Sequence, residues 1–375
     1  MSIKKKQGQH FLQSSAVRRF SRKDLMGISE EQAFWKFCEF RWEMGDKQAC
    51  PDCGEINNHY FKRQRMQFTC RGCYRQFSPT SGTILHKRKL KYHLILDLIL
   101  TFVTAQKGIA ALHVANNLGI NPKTVSVLFG KFREMFIYQA DVSFMSGNIE
   151  IDGGWFCGMK RNPARKIEVD PKVKARIIEE NLKTGKTFVP KHKTSMKTIR
   201  NRKKKRLVFV IRKTVKGKGA GQTLTFVARS ESEPEVKKIV SRLVARGSTI
   251  QTDEAPCYGW LSAFYDHKTV VHSKEYVSAE GYNENQAESF FSRMRRNVVG
   301  VTHGMRPTYC TDYSYEMVWR EEVRRKTNKE KMQDIFTKIG KHGTSVWWRG
   351  YWQGHKRGCE LTIDDLFGIW DAVGI

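Results

Sequence analysis

The sequence predicts an α+β protein of several domains, and three observations carry that reading. The chain has 375 residues, 40% of them hydrophobic, which is more than one ordinary core accommodates. Two C-x-x-C pairs lie near the N-terminus, and near residue 147 the hydrophobic pattern switches from helical spacing to strict alternation.

Charge narrows the function before any motif is considered. Lys and Arg outnumber Asp and Glu by 67 to 37, a formal charge of +30, and an excess of this size attracts phosphate backbones. Double-stranded DNA is the expected partner. A membrane is not, because the longest apolar stretch, Leu94 to Ala105, is interrupted by Asp97 and falls short of the ~20 residues a span needs. The opening MSIKKKQGQHF lacks an apolar signal core, so a cytoplasmic, nucleoid-associated protein is expected. Five of the nine cysteines stand singly, which argues against a disulfide framework.

Residues 1–45 read as a loose basic arm, up to residue 28, and a short helix. That helix starts at Ser29, a capping residue followed by acids, and sets Phe34, Phe37 and Cys38 near one face. Residues 46–82 read as a metal ribbon. Cys50 and Cys53 pair with Cys70 and Cys73 across a β-like aromatic stretch, offering four thiolates to one tetrahedral ion and leaving no open coordination position. One structural Zn2+ is expected, with iron the alternative for an S4 set. Basic residues among aromatics, Arg71 and Arg75 included, either grip DNA or are simply solvated.

Residues 85–140 read as a helix-turn-helix. A helix over Leu90 to Ala105 precedes KGIAALHVANNLGINPKTV, in which Gly119 marks a turn and Pro122 suits the first position of a helix. Lys123, Thr124 and Ser126 would then face a major groove. An ordinary three-helix connector remains the alternative.

From residue 147 the alternation Ile149, Ile151 against Glu150, Asp152 predicts a strand with Asp152 on its polar surface. Strands at Leu207–Ile211 and Thr223–Val227, a helix over Pro234–Ala245 and the strand Thr249–Asp253 follow. Strands first, then strand and helix in alternation, make a mixed sheet flanked by helices, the order of an RNase H-like α/β/α core over residues 147–325. A basic insertion over 159–205 is too long for a hairpin turn. Residues 326–375 form a helical, aromatic tail of open role.

Asp152 and Asp253 are strand-end carboxylates far apart in sequence, and the helix from Asn285 places Ala287, Phe290, Phe291, Met294 and Val298 on its core stripe with Glu288 at the rim. Convergent carboxylates bind hard divalent cations. Arg295, seven residues after Glu288, lies on the same face, positioned for a DNA phosphate. Asn285 and Glu288 both remain candidates for the third ligand, and Glu150, Glu254 and Glu284 are neighbouring carboxylates that compete for the role.

Over roughly residues 30 to 325 the chain resembles the insertion-sequence transposases of the zinc-ribbon DDE/N group, ISXO-like relatives of the eukaryotic Merlin elements. The matching stretches are RWEMGDKQACPDCG, FTCRGCYRQFSPTSGTILH, KGIAALHVANNLGINPKTV, IEIDGGWFCG, TDEAPCYGWL and NENQAESFFSRMRRNVVGVTHG. The resemblance implies Asp152 and Asp253 as the first two catalytic acids, Asn285 or Glu288 as the third, and two Mg2+ or Mn2+ ions between them. Water would cut at the element's terminal inverted repeats, and the freed 3'-hydroxyl would attack target DNA, with a homo-oligomer holding both ends. Two departures stand out: Arg295 replaces the usual Lys, and Gly153 replaces the acid expected after Asp152. A non-catalytic DNA-binding regulator and an RNase H-fold nuclease or resolvase are the competing readings.

Overall fold

The computed structural model describes residues 11–42, 47–158, 167–185, 192–193, 204–215, 219–269 and 285–374. From Phe11 the basic arm is packed rather than loose. Three 3-10 turns bury Val17 and Leu25, Phe20 meets Phe40 edge-on at 5.3 Å, and Arg22 pairs with Asp97 at 2.8 Å. Isolated apolar residues in tight turns give no periodic signal, which is why the sequence read as an arm.

Helix α1 (Glu30–Arg41) opens with a capping box: Ser29 accepts from the Gln32 N–H at 3.2 Å and Gln32 returns the bond at 2.8 Å. Its Phe34 covers the ribbon sheet of β1 (His59–Lys62), β2 (Gln67–Cys70) and β3 (Gln76–Phe77), meeting Phe61 at 5.1 Å and Phe68 at 5.6 Å. The ribbon therefore shares an aromatic core with α1. Glu30 in turn accepts from the Tyr92 N–H at 2.6 Å, meeting an unsatisfied donor at the start of α2 (Tyr92–Thr104).

Helix α3 (Ala111–Leu118) ends at Gly119, whose φ of 62° is the left-handed closure glycine tolerates. Asn121 then caps α4 (Pro122–Tyr138) by accepting from the Lys123 N–H at 2.8 Å.

The central strand β4 (Asn148–Phe156) is followed by a small pair, β5 (Ile167–Glu168) with β6 (His192–Lys193), around α5 (Pro171–Thr184), a helix with no buried residue. Strands β7 (Arg206–Val215) and β8 (Gly219–Ala228) continue from β4 as an antiparallel meander. Helix α6 (Glu233–Leu243) leads to β9 (Thr249–Thr252), which pairs with β4 in parallel, and β10 (Asp266–Thr269) adds in parallel beyond it. The order β10-β9-β4-β7-β8 is the RNase H-like arrangement expected from the order of elements. Strand β10 was not anticipated, since DHKT carries no hydrophobic alternation.

Helices α7 (Asn285–Gly300) and α8 (Cys310–Glu322) cover one face of this sheet. A methyl on Gly154 would strike Phe291, and Thr225 bonds Ser314 at 2.8 Å. The opposite face meets α6 and α10 (Ile363–Ala372), where Phe226 packs on Phe367 and Trp370 and Lys238 bonds Asp364 at 2.8 Å. The residues after 326 are therefore core elements and not an appended tail. Helix α9 (Asn328–His342) places Phe336 against Phe37 and Phe40 of α1, and Trp348 lies on α4 where Gly130 leaves space; a Cβ there would come within 2.2 Å of its ring. Arg133 of α4 pairs with buried Glu316 of α8 at 2.6 Å, joining the N-terminal helices to the sheet. Among the described residues no helix is long and apolar enough to cross a membrane.

Candidate active site and metal ribbon

Two hairpin knuckles bring Cys50, Cys53, Cys70 and Cys73 together, their sulfurs all within 4.8 Å of one another. The Cys50–Cys73 and Cys53–Cys70 Sγ separations are 3.6 and 3.5 Å. A tetrahedral ion with metal–sulfur bonds of ~2.3 Å sets its ligands ~3.8 Å apart, so the four thiols already fit such an ion. Four sulfurs close the coordination sphere, and the centre is structural.

The parallel register of β4 and β9 positions the two aspartates. Its last pair is Glu150 with Gln251; Asp152 follows two residues later within β4, and Asp253 two residues later just past the end of β9. Both are half-buried. Asp152 Oδ1 accepts from the Gly153 N–H at 2.6 Å, and Asp253 Oδ1 from the Ala255 N–H at 3.1 Å. Asp152 lies in the middle of β4 and Asp253 one residue beyond β9, so the strand-end placement expected from the sequence holds for Asp253 alone.

The surface of β4 that carries Asp152 is not the solvent-facing polar surface expected from alternation, because α7 lies over it. Glu150, on the same face, is only 3% exposed, and its Oε2 accepts from the N–H groups of Gln286 at 3.0 Å and Ala287 at 3.1 Å. Burial lifts this carboxyl to about 7, against the pull of those two N–H groups and Arg212. Arg212, also buried, bonds the Gln286 carbonyl and pairs with Glu321 at 3.0 Å. These bonds hold the first turn of α7 over the sheet. Glu288 follows one residue after Ala287 and is exposed. With Glu150 bonded to Ala287 and Gly154 under Phe291, α7 runs in the direction of β4. The structure does not gather Asp152, Asp253 and Glu288 into one ligand group: among the described residues the four cysteines are the only cluster of three or more potential ligands.

A carboxylate that the sequence did not single out borders the pair. Glu231, between β8 and α6, accepts from the Tyr258 hydroxyl at 3.1 Å. Its carboxyl is raised by burial and by Asp253, and the Tyr258 hydroxyl is pushed well up by burial and by Glu231, with Asp253 and Asp152 adding to the effect. A Cβ at residue 153 would come within 2.7 Å of Glu231 Oε1. Gly153, the departure noted in the sequence, thus leaves room for an acid brought from elsewhere. Periodicity gives no hint of Glu231; only the sheet topology does.

Arg295 is exposed on α7, its guanidinium 5.7 Å from the Phe291 ring and 6.0 Å from that of Phe156. The side chain of Asn285 lies outside the described residues. Lys123 and Ser126 are exposed and Thr124 half-buried on the first turns of α4, with the Ser126 hydroxyl donating to the Pro122 carbonyl at 2.9 Å. On the ribbon, Arg71 stacks over Tyr60 at 4.1 Å, whereas Arg75 pairs with Asp52 at 2.8 Å.

A cysteine ribbon ahead of an RNase H-like core, with Asp152 on the central strand and Asp253 just past its parallel neighbour, is the layout of a DNA transposase. The chain matches the ISXO2-like transposase domain over residues 144–322 and the transposase zinc-ribbon domain over residues 28–76. Together these take in more than half of its length, and the chain belongs to the ISXO2-like transposases. No curated protein matches it. A crystal structure of a pre-cleavage Mos1 transpososome is similar at 10% identity over 65% of this chain and 78% of that one, with a TM-score of 0.17, too low for the likeness to bear on the fold.

Proposed function

We propose that this transposase binds the terminal inverted repeats of its element, cuts there in a metal-dependent reaction, and joins the freed 3' end to target DNA as a homo-oligomer. The observation that carries the reading is the placement of Asp152 on β4 and of Asp253 just past β9, the strand that pairs with β4 in parallel. Mg2+ or Mn2+ bound there would activate the attacking water or 3'-hydroxyl and stabilise the leaving oxygen.

The protein's own contribution is placement. Asp152 and Asp253 would supply the fixed oxygens, with Glu288 or Asn285 of α7 as the third ligand, and Glu231 would hold negative charge beside them. Arg295 would take a phosphate of the scissile strand; its planar fork suits two oxygens at once. The ribbon, with Zn2+ as its ion, and the α3–α4 pair would position the duplex through Arg71, Lys123, Thr124 and Ser126. Arg75 contributes less in this reading, because Asp52 already engages it.

The test uses a duplex carrying the repeats that flank the reading frame. Asp152→Asn and Asp253→Asn should each abolish cleavage with Mg2+ or Mn2+ while DNA binding persists, because the basic surface is untouched. Wild-type cleavage by either variant would remove the assignment. Cleavage without joining by the unaltered protein would instead favour a nuclease.

A further inference from the structure

A cleft of about 790 Å³ opens between α3 and α4 on one side and the C-terminal end of α7 and the 309–356 region on the other. It lies apart from the aspartates and the ribbon, and nothing above gives it a role. One wall is aromatic: Tyr309 stacks on Trp348 at 5.9 Å and Trp348 meets Tyr351 at 5.7 Å. Lys356 stands 5.2 Å over the Tyr351 ring, and Arg306 lines the same cleft exposed.

Three side chains lining it carry polar atoms that are buried and lack a hydrogen-bond partner among the described residues. These are Asn297 Oδ1, Asp312 Oδ1 and Trp348 Nε1, the first two on residues only 2% and 1% exposed. Buried polar atoms are rarely left without partners, and each such case calls for an explanation. The acidic charge of Asp312 is already matched by Arg357, and Arg133 by Glu316, which leaves Arg306 and Lys356 as the cations at the mouth.

We propose that this cleft binds an unpaired nucleotide of single-stranded DNA. Aromatic faces stack bases of any sequence, and cations beside them take the phosphates. The volume suits about one or two nucleotides, by comparison with ordinary ligand pockets. A paired, stacked duplex could offer only its phosphates to such a cleft. Location fits as well: α4 supplies Lys123, Thr124 and Ser126 for the proposed duplex contact, and Ser126 and Phe129 also line the cleft, while α7 supplies both Glu288 and Asn297. An unpaired nucleotide held here would lie between end recognition and the cutting site.

The inference rests on the DNA-binding reading, and the experiment separates the two. Fluorescence anisotropy of the full chain would compare a blunt duplex with the same duplex bearing a short single-stranded extension. The extended probe should bind more tightly. Tyr351→Ala should weaken that probe by roughly tenfold, the value of one stacked base, and leave the blunt duplex unchanged, while Tyr351→Phe retains the preference. Arg306→Ala and quenching of tryptophan emission by oligothymidylate provide readouts that do not depend on the folding of Tyr351→Ala. Equal affinity of the unaltered protein for both probes, or an unchanged preference in Tyr351→Ala and Arg306→Ala, overturns the cleft assignment alone. Failure to bind either probe overturns the DNA-binding reading with it.

Discussion

The carboxylate of Glu150 accepts the backbone N–H of Ala287 at 3.1 Å, so a buried acid of the central strand fixes the first turn of the helix that carries Glu288. Unmet N–H groups at a helix N-terminus attract negative charge, and here the acid comes from the sheet beneath the helix instead of from a local cap. Glu150 is therefore a positioning residue, distinct from the aspartates beside it.

Replacing it should reveal that role. Glu150→Ala leaves two helix N–H groups without their buried acceptor, and a loss of about 3 kcal/mol is expected, measured by urea unfolding. Cleavage should fall at least tenfold, with DNA binding kept. Glu150→Gln retains an acceptor and should lose less of both. A stable, fully active Glu150→Ala would mean that α7 is held by its apolar stripe alone.

Cys70 is fully buried between β2 and the quartet. Cys70→Ser should reduce bound metal from one ion per chain to none and lower the melting temperature of the ribbon, because binding energy in such a site is folding energy. The aromatic packing of Phe34 on Phe61 and Phe68 is independent of the metal, so partial collapse rather than loss of the whole N-terminal region is expected. Metal analysis and circular dichroism of the purified variant decide it; unchanged metal content would refute the site.

Features encoded by short-range patterns were legible in the sequence. The cysteine spacing, the Ser29 cap, the Gly119 turn and the alternation around Asp152 each depend on neighbours within a few residues, and they appear where expected. What escaped depends on contacts distant in sequence. Glu231 meets Gly153 and Tyr258 only after the sheet is assembled, and Trp348 finds its place because residue 130, on another element, lacks a side chain. The short polar strand β10 is defined by its pairing with β9 and not by its own residues. Glu150 shows the same limit: alternation put it with Asp152 on a polar surface, and only the placement of α7 turned that surface inward.

His342 offers a prediction about pH. Its side chain is 2% exposed, lies 3.9 Å from Glu134 and edge-on to Tyr138 at 4.9 Å, and neither ring nitrogen has a hydrogen-bond partner among the described residues. Burial pulls the imidazole down to about 4. The unfolded chain takes up this proton near pH 6.5 while the folded one resists it, so the stability contributed by neutral His342 is complete above pH 6.5 and is lost as pH falls toward 4. Thermal unfolding of the unaltered protein alone would mix this effect with that of other titrating groups, and the difference between it and His342→Phe isolates the histidine. That difference should change by an amount on the order of 3 kcal/mol in favour of the variant between pH 6.5 and 4, and parallel profiles over that range would show that the imidazole accepts its proton without strain in the folded state.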